Sequence, residues 1–224
     1  MPARTTATAS SLPPVPVAIF LPRPDHTWPV PAELAAEGPW CGVTAPDVAG
    51  LVAWYTKPRD PVADLDAHPL VARAARYLGR RPVTLTNPAT PPVLRRSGRG
   101  GLGLLFARLP RDGADSADLT AMTTAMHTWR TMLRPGGVLV TALTTPIDED
   151  GLVSHRATVI TAARTAGLSW RQEFLVVLDA LPEFESRAMP DTAGSTGPAL
   201  ADGRHAINHR KVLAFRRTAG GRDA

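Results

Sequence analysis

The chain has 224 residues, 44% hydrophobic and 20% charged, with a formal net charge of +5. That suffices for one domain with tails and a packed core, and no run approaches the eighteen apolar residues of a membrane-spanning helix. The single cysteine, Cys41, excludes an internal disulfide and a cysteine-based zinc site. Only two of the 25 basic residues are lysines, Lys57 and Lys211. The rest are arginine, in a chain also rich in Ala, Pro and Gly, and solvated arginine is the simpler reading of the positive charge. The places where a nucleic acid would bind are "RRSGRGG" (95–101) and "HRKVLAFRR" (209–217).

Residues 1–14 are rich in Thr, Ala, Ser and Pro and read as a disordered tail. No secretory core or cleavage site is evident in the first twenty residues, so a cytoplasmic protein is expected. Residues 15–42 read as a proline-rich arm. Within it "VPVAIFLP" (15–22) is an edge strand or extended segment, because Pro16 cannot donate to a central ladder. A helix follows, capped by Thr44, with Val48, Leu51, Val52 and Tyr55 on one face. "PVADL" (61–65) has the short apolar run of a buried strand. Pro69 opens a helix over 69–79 that ends at Gly79. Strands are predicted at 82–86 and 102–110, with a weak one at Val93–Leu94. The clearest helical spacing is Leu119, Met122, Met126, Trp129 and Leu133, within 116–133. After "LRPGG" come a strand at 138–143 and a helix at 152–166 with Val153, Ala157, Ile160 and Ala163 inward. Strands at 170–181 and 211–217 follow, joined by a polar loop. Residues 43–217 thus read as the folded domain and 218–224 as a tail. Alternating strands and helices predict a doubly wound, mostly parallel sheet, and the last two strands are expected to form an antiparallel pair.

That order resembles the class I S-adenosylmethionine-dependent methyltransferases, whose Rossmann-like sheet ends in an antiparallel strand pair. "LRPGGVLV" (133–140) resembles the family's "LkPGGxlv" stretch, where paired glycines let the chain turn sharply. "YTKPRDPVADLDAHPLVARAARYLGR" (55–80) is similar to the "YTxPGDxVxDPxxGxGTTxxEAxxxGR" stretch of the amino-methylating DNA methyltransferases. Tyr55, Thr56, Pro58, Asp60, Val62, Asp64, Ala74, Gly79 and Arg80 carry that resemblance. The closing "HRKVLAFRR" is similar to the branch's final strand.

The resemblance implies S-adenosylmethionine at the turn Asp64, Leu65, Asp66, Ala67 and His68, with Asn87 standing weakly for the acid that holds the ribose. It implies an acceptor near Ala107, Arg108, Leu109 and Pro110, and Arg111 is a further anion contact. The residues depart from both patterns. A cofactor turn needs glycines, because a Cβ would meet the ligand, yet here stand Asp66, Ala67, His68 and Pro69. The branch's acid- or amide-Pro-Pro-aromatic motif, which binds a flipped base, is replaced by "FARLPR". The expectation is therefore a methyltransferase-like protein related to DNA amino-methylases with weakened or lost catalysis. The alternative is a non-catalytic module of the same fold that binds nucleic acid or a protein.

Other candidates read more simply as structure. His205 and His209 have the spacing of metal ligands on a helix, but no helix is expected there, so no metal site is assigned. Asp148, Glu149 and Asp150 read as a turn or helix cap. His68 reads as a turn histidine, with a general base as the sharper alternative. Trp28, Trp40 and Cys41 are expected to cover the sheet edge or to line a pocket.

Overall fold

The computed structural model describes residues 15–21, 30–85, 101–144, 155–178 and 209–218. Among these the elements are β1 (Val17–Phe20), α1 (Ala32–Ala35), α2 (Ala45–Tyr55), β2 (Pro61–Asp64), α3 (Pro69–Tyr77) and β3 (Arg81–Val83). They continue with β4 (Leu102–Leu109), α4 (Leu119–Met132), β5 (Leu133–Leu143), α5 (His155–Thr165), β6 (Leu168–Val177) and β7 (His209–Arg217). The predicted strand at Val93–Leu94 and Asn87, Trp28, Asp148, Glu149, Asp150, Val153 and His205 lie outside the described residues.

The strands form one sheet in the order β1-β6-β7-β5-β4-β2-β3. Every pairing is parallel except the two made by β7, which runs against both β5 and β6. This is the Rossmann-like, mostly parallel α/β sheet with its antiparallel C-terminal pair. β2 and β4 are neighbours although a helix and β3 intervene in sequence, so the strand order reverses there. In open α/β sheets the crevice at such a reversal is where ligands bind.

Alternation along the strands divides the core between two faces. Leu104 and Phe106 of β4, with Val138 and Val140 of β5, pack with α1, α2 and α3. Leu105, Ala107 and Leu109, with Leu139 and Leu143, pack with α4 and α5. The predicted face of α2 is confirmed: Val48, Leu51 and Val52 are fully buried, and Tyr55 reaches across to donate its hydroxyl to Gln172 Oε1 at 3.0 Å. β1 is the edge strand that Pro16 implied, paired with β6.

Four expectations are corrected. The helix over 116–133 is shorter, because the Asp118 carboxylate caps it by accepting from the Thr120 and Ala121 amides. Leu133 is the first residue of β5 rather than the last of a helix. The glycine pair therefore lies inside β5, at a bulge opposite Leu102–Leu104. Gly136 has φ +78°, a conformation that favours glycine, and a Cβ on Gly137 would sit 2.6 Å from the Leu102 carbonyl oxygen, so the close backbone approach requires glycine at 137. Ala157 faces outward, and Val159 and Ala162 take the inward places on α5 with Ile160 and Ala163. The proline-punctuated segment before α2 also holds α1 and a tight hairpin at Trp40–Val43.

Most residues that carried the DNA-methylase resemblance have structural duties around β2. Thr56 donates its hydroxyl to the Val52 carbonyl and accepts from Arg80 Nε at 3.0 Å. Asp60 Oδ2 accepts from the Lys57 amide at 2.8 Å and pairs with Arg134 Nη2 at 2.7 Å. Arg59, where the resembled stretch has glycine, holds the left-handed backbone that glycine favours, at φ +66°.

Candidate active-site cleft at the strand ends

The predicted cofactor turn lies at the sheet's reversal point, between the carboxyl ends of β2 and β4. It is built around Asp64. Strand pairing runs on past β2, since the Leu65 amide donates to the Phe106 carbonyl at 3.0 Å. Asp64 Oδ1 accepts from the Asp66 amide at 3.1 Å, and Oδ2 accepts from the His68 amide at 2.9 Å. The Ala67 amide donates to the Asp64 carbonyl at 3.3 Å, with Ala67 left-handed at φ +52°. His68 is the N-cap of α3: its Nδ1 accepts from the Leu70 amide at 3.3 Å, and its carbonyl accepts from Val71 at 3.2 Å. Pro69 has no amide hydrogen. Every backbone donor from Leu65 to Val71 is thus already bonded within the protein.

The far side of the turn is also closed. Asp66 Oδ2 accepts from the Arg108 amide at 3.0 Å, and Oδ1 lies 3.6 Å from Arg111 Nη1. Arg111 Nη2 donates to the Leu65 carbonyl at 3.2 Å. These contacts strap the turn to the end of β4 across the crevice. Burial pushes the Asp64 carboxyl up to about 6, against the opposing pull of the two amides that donate to it. It still ionises at neutral pH, and its charge is spent inside the turn.

The acceptor-site expectations fare differently from one another. Ala107, Arg108 and Leu109 are strand residues, in register with Thr141, Ala142 and Leu143. Ala107 and Leu109 are fully buried toward α4 and α5, so neither meets a cleft. Pro110 follows the strand through a cis peptide bond. Only Arg108 of the four lines the cavity beside the turn.

That cavity has a volume of about 610 Å³ and opens between the turn and the Trp40–Val43 hairpin. Trp40 and Val43 exchange both backbone hydrogen bonds, at 3.0 and 2.8 Å. Cys41 and Gly42 between them have φ of +52° and +86°, the pair of positive values that a two-residue type I′ turn requires. The Trp40 ring anchors the hairpin edge-on to Phe106 at 5.0 Å. Trp40 and Cys41 therefore line this pocket and not the sheet edge. Burial, and then the Asp66 charge, push the Cys41 thiol up to about 11, so it is a protonated wall group and no nucleophile at neutral pH. His68 touches this cavity and a second one of about 90 Å³ on the α3 side. Among the described residues no group of His, Cys, Asp or Glu side chains could hold a metal ion, and no helix is long and apolar enough to cross a membrane.

Sequence reasoning missed Arg210, which enters the cavity from the start of β7, and the strap role of Arg111. The signal for Arg210 was its place in "HRKVLAFRR"; its partner surface lies far earlier in the chain, at Cys41–Gly42.

No protein-family model and no curated protein matches the chain. Solved structures do. The CcbJ methyltransferase of Streptomyces caelestis is 16% identical over 84% of this chain and 96% of its own, with a TM-score of 0.47. The N-methyltransferase NodS of Bradyrhizobium japonicum WM9 is 17% identical over 78% and 94%, with a TM-score of 0.40. A Thermus thermophilus protein provisionally described as a DNA modification methylase is 18% identical over 59% of this chain, with a TM-score of 0.36; the match spans 51% of that protein. The fold assigned above rests on the chain's own strand order.

Proposed function

We propose that this chain is a methyltransferase-like protein, related to the DNA amino-methylases, that no longer transfers methyl groups and serves as a ligand-binding module. One observation carries the reading: each amide from Leu65 to Val71 that could hold the carboxylate of S-adenosylmethionine is bonded internally. An anion at this helix start would find no free backbone amide, and displacing Asp64 from its own turn would leave a buried carboxylate unpaired. The methyl of Ala67 and the ring of Pro69 stand where close backbone approach needs glycine. The residues present therefore do not fit that cofactor in the way the fold holds it. The cavity under the hairpin supports binding of another kind, since about 610 Å³ is within the range of small-molecule sites.

Amide hydrogen exchange tests the sealed turn. The amides of Asp66, His68 and Leu70 are expected to be protected in the free protein and unchanged by millimolar S-adenosylmethionine. New protection confined to residues 64–71 on adding the cofactor would overturn the reading and restore the enzyme.

A further inference from the structure

Among the described residues, the lining of the cavity under the hairpin holds two arginines and one carboxylate. The arginines are Arg108 from the end of β4 and Arg210 from the start of β7. The carboxylate is Asp66, which lies beside Arg111 and accepts from the Arg108 amide. Arg108 Nε lies 4.0 Å from Asp66 with its side chain 56% exposed, a pairing too long and too wet to neutralise it. The Arg210 side chain makes no hydrogen bond or ion pair among the described residues; it lies along Gly42, where a Cβ would be 3.8 Å from its Cδ. Pro39, Trp40 and Leu178 add apolar surface to the lining, Leu178 beside Gly42 as Arg210 is.

We infer that this cavity binds a small organic anion, a carboxylate or phosphate monoester with an apolar body. Arg108 and Arg210 take the anionic group and the Pro39–Trp40–Leu178 wall takes the body. Guanidinium forks match both oxyanions. A nucleic-acid strand would need a run of phosphate contacts, and among the described residues the lining offers two arginines. The inference deepens the binding-module reading by naming its ligand class, and it does not depend on whether the turn at Asp64 also accepts a nucleotide cofactor.

Titration of the full chain with phenyl phosphate, phenylacetate and phenol tests it. At least one of the two anions is expected to bind with submillimolar affinity, and phenol to bind at least about tenfold more weakly. Whichever anion binds more tightly identifies the source of the charge. Arg210→Gln and Arg108→Gln are each expected to weaken anion binding by about tenfold or more, and the double variant to abolish it. Neither side chain contributes to the core, and thermal unfolding of the variants checks that they fold. No binding of either anion at ten-millimolar order, equal binding of phenol, or unchanged affinity in the folded double variant would each overturn the inference. Binding of S-adenosylmethionine in parallel would instead contradict the sealed turn, so the two readings fail separately.

Discussion

Two glycine-dependent stretches of the resembled family meet opposite fates in this chain. At 133–140 the glycines stand, and at 64–70 they do not. In the first, the neighbour that forbids a side chain is the protein's own backbone: a Cβ on Gly137 would lie 2.6 Å from the Leu102 carbonyl and 2.9 Å from that of Arg134. In the second, the neighbour that the resemblance implies is a cofactor, and there Asp66 accepts from the Arg108 amide and lies beside Arg111. A glycine required by the fold is required whatever the protein does. A glycine required by a ligand can give way once that ligand is not bound. The contrast separates glycines that the sheet itself requires from glycines that only the resemblance would require.

The largest expected effect comes from breaking the scaffold half of that contrast. Gly137→Ala should destabilise the protein by about 3 kcal/mol or more, because the clash is with backbone on both sides and nothing flexible can yield. Denaturant unfolding measures it, and a loss under about 1 kcal/mol would mean the β5 bulge adapts.

Asp64 gives the next effect, through pH. Folded Asp64 holds its proton to about pH 6, whereas the unfolded chain releases it near 3.8. Between those values folding takes up a proton, so the contribution of Asp64 is fully present below the lower value and is lost as pH rises through the upper. The loss amounts to about 3 kcal/mol. Unfolding free energies of the wild type and Asp64→Asn from about pH 3.5 to 7 should therefore diverge across that window. Parallel curves would place the carboxylate in contact with water and open the turn.

Cys41 reports on the cavity wall. A thiol raised from 9.0 to about 11 leaves about a hundredth of the usual thiolate at about pH 8, so alkylation by iodoacetamide should run about 100-fold slower than for a free cysteine. Alkylation at the free-thiol rate would mean that the hairpin lifts from the strand ends.

The smallest effect sharpens the turn itself. Ala67→Gly relieves a left-handed alanine and should stabilise by about 0.5–1 kcal/mol without creating cofactor binding, since the amides around it remain bonded. Gain of S-adenosylmethionine binding in this variant would show that the Ala67 methyl alone had closed the site.

The sheet was legible in the sequence because its signals are local. Val48, Leu51 and Val52 mark one helix face by spacing, and Pro16 marks an edge. The candidate site was legible only as a deficit: "DLDAHP" shows that the glycines are absent, but not that Asp64 accepts from its own turn. The cavity's charges were hidden for a physical reason. Arg108 lies in an apolar strand and reads as an interruption of it, Arg210 lies far further along the chain, and only the folding of β7 beside β5 brings them to one pocket. Leu133 misled because a bulged strand that follows a helix directly keeps the helical spacing for one more residue. The Cys41–Gly42 turn gave a local signal, a glycine between two apolar residues, that the surrounding prolines masked.

Titration calorimetry with S-adenosylmethionine and S-adenosylhomocysteine tests the central claim most directly. The sealed turn predicts no saturable heat from either ligand up to millimolar concentration, in the wild type and in Asp64→Ala alike. Micromolar binding by the wild type that is lost in a folded Asp64→Ala variant would contradict it, and would mean that the turn opens to hold the cofactor without its glycines.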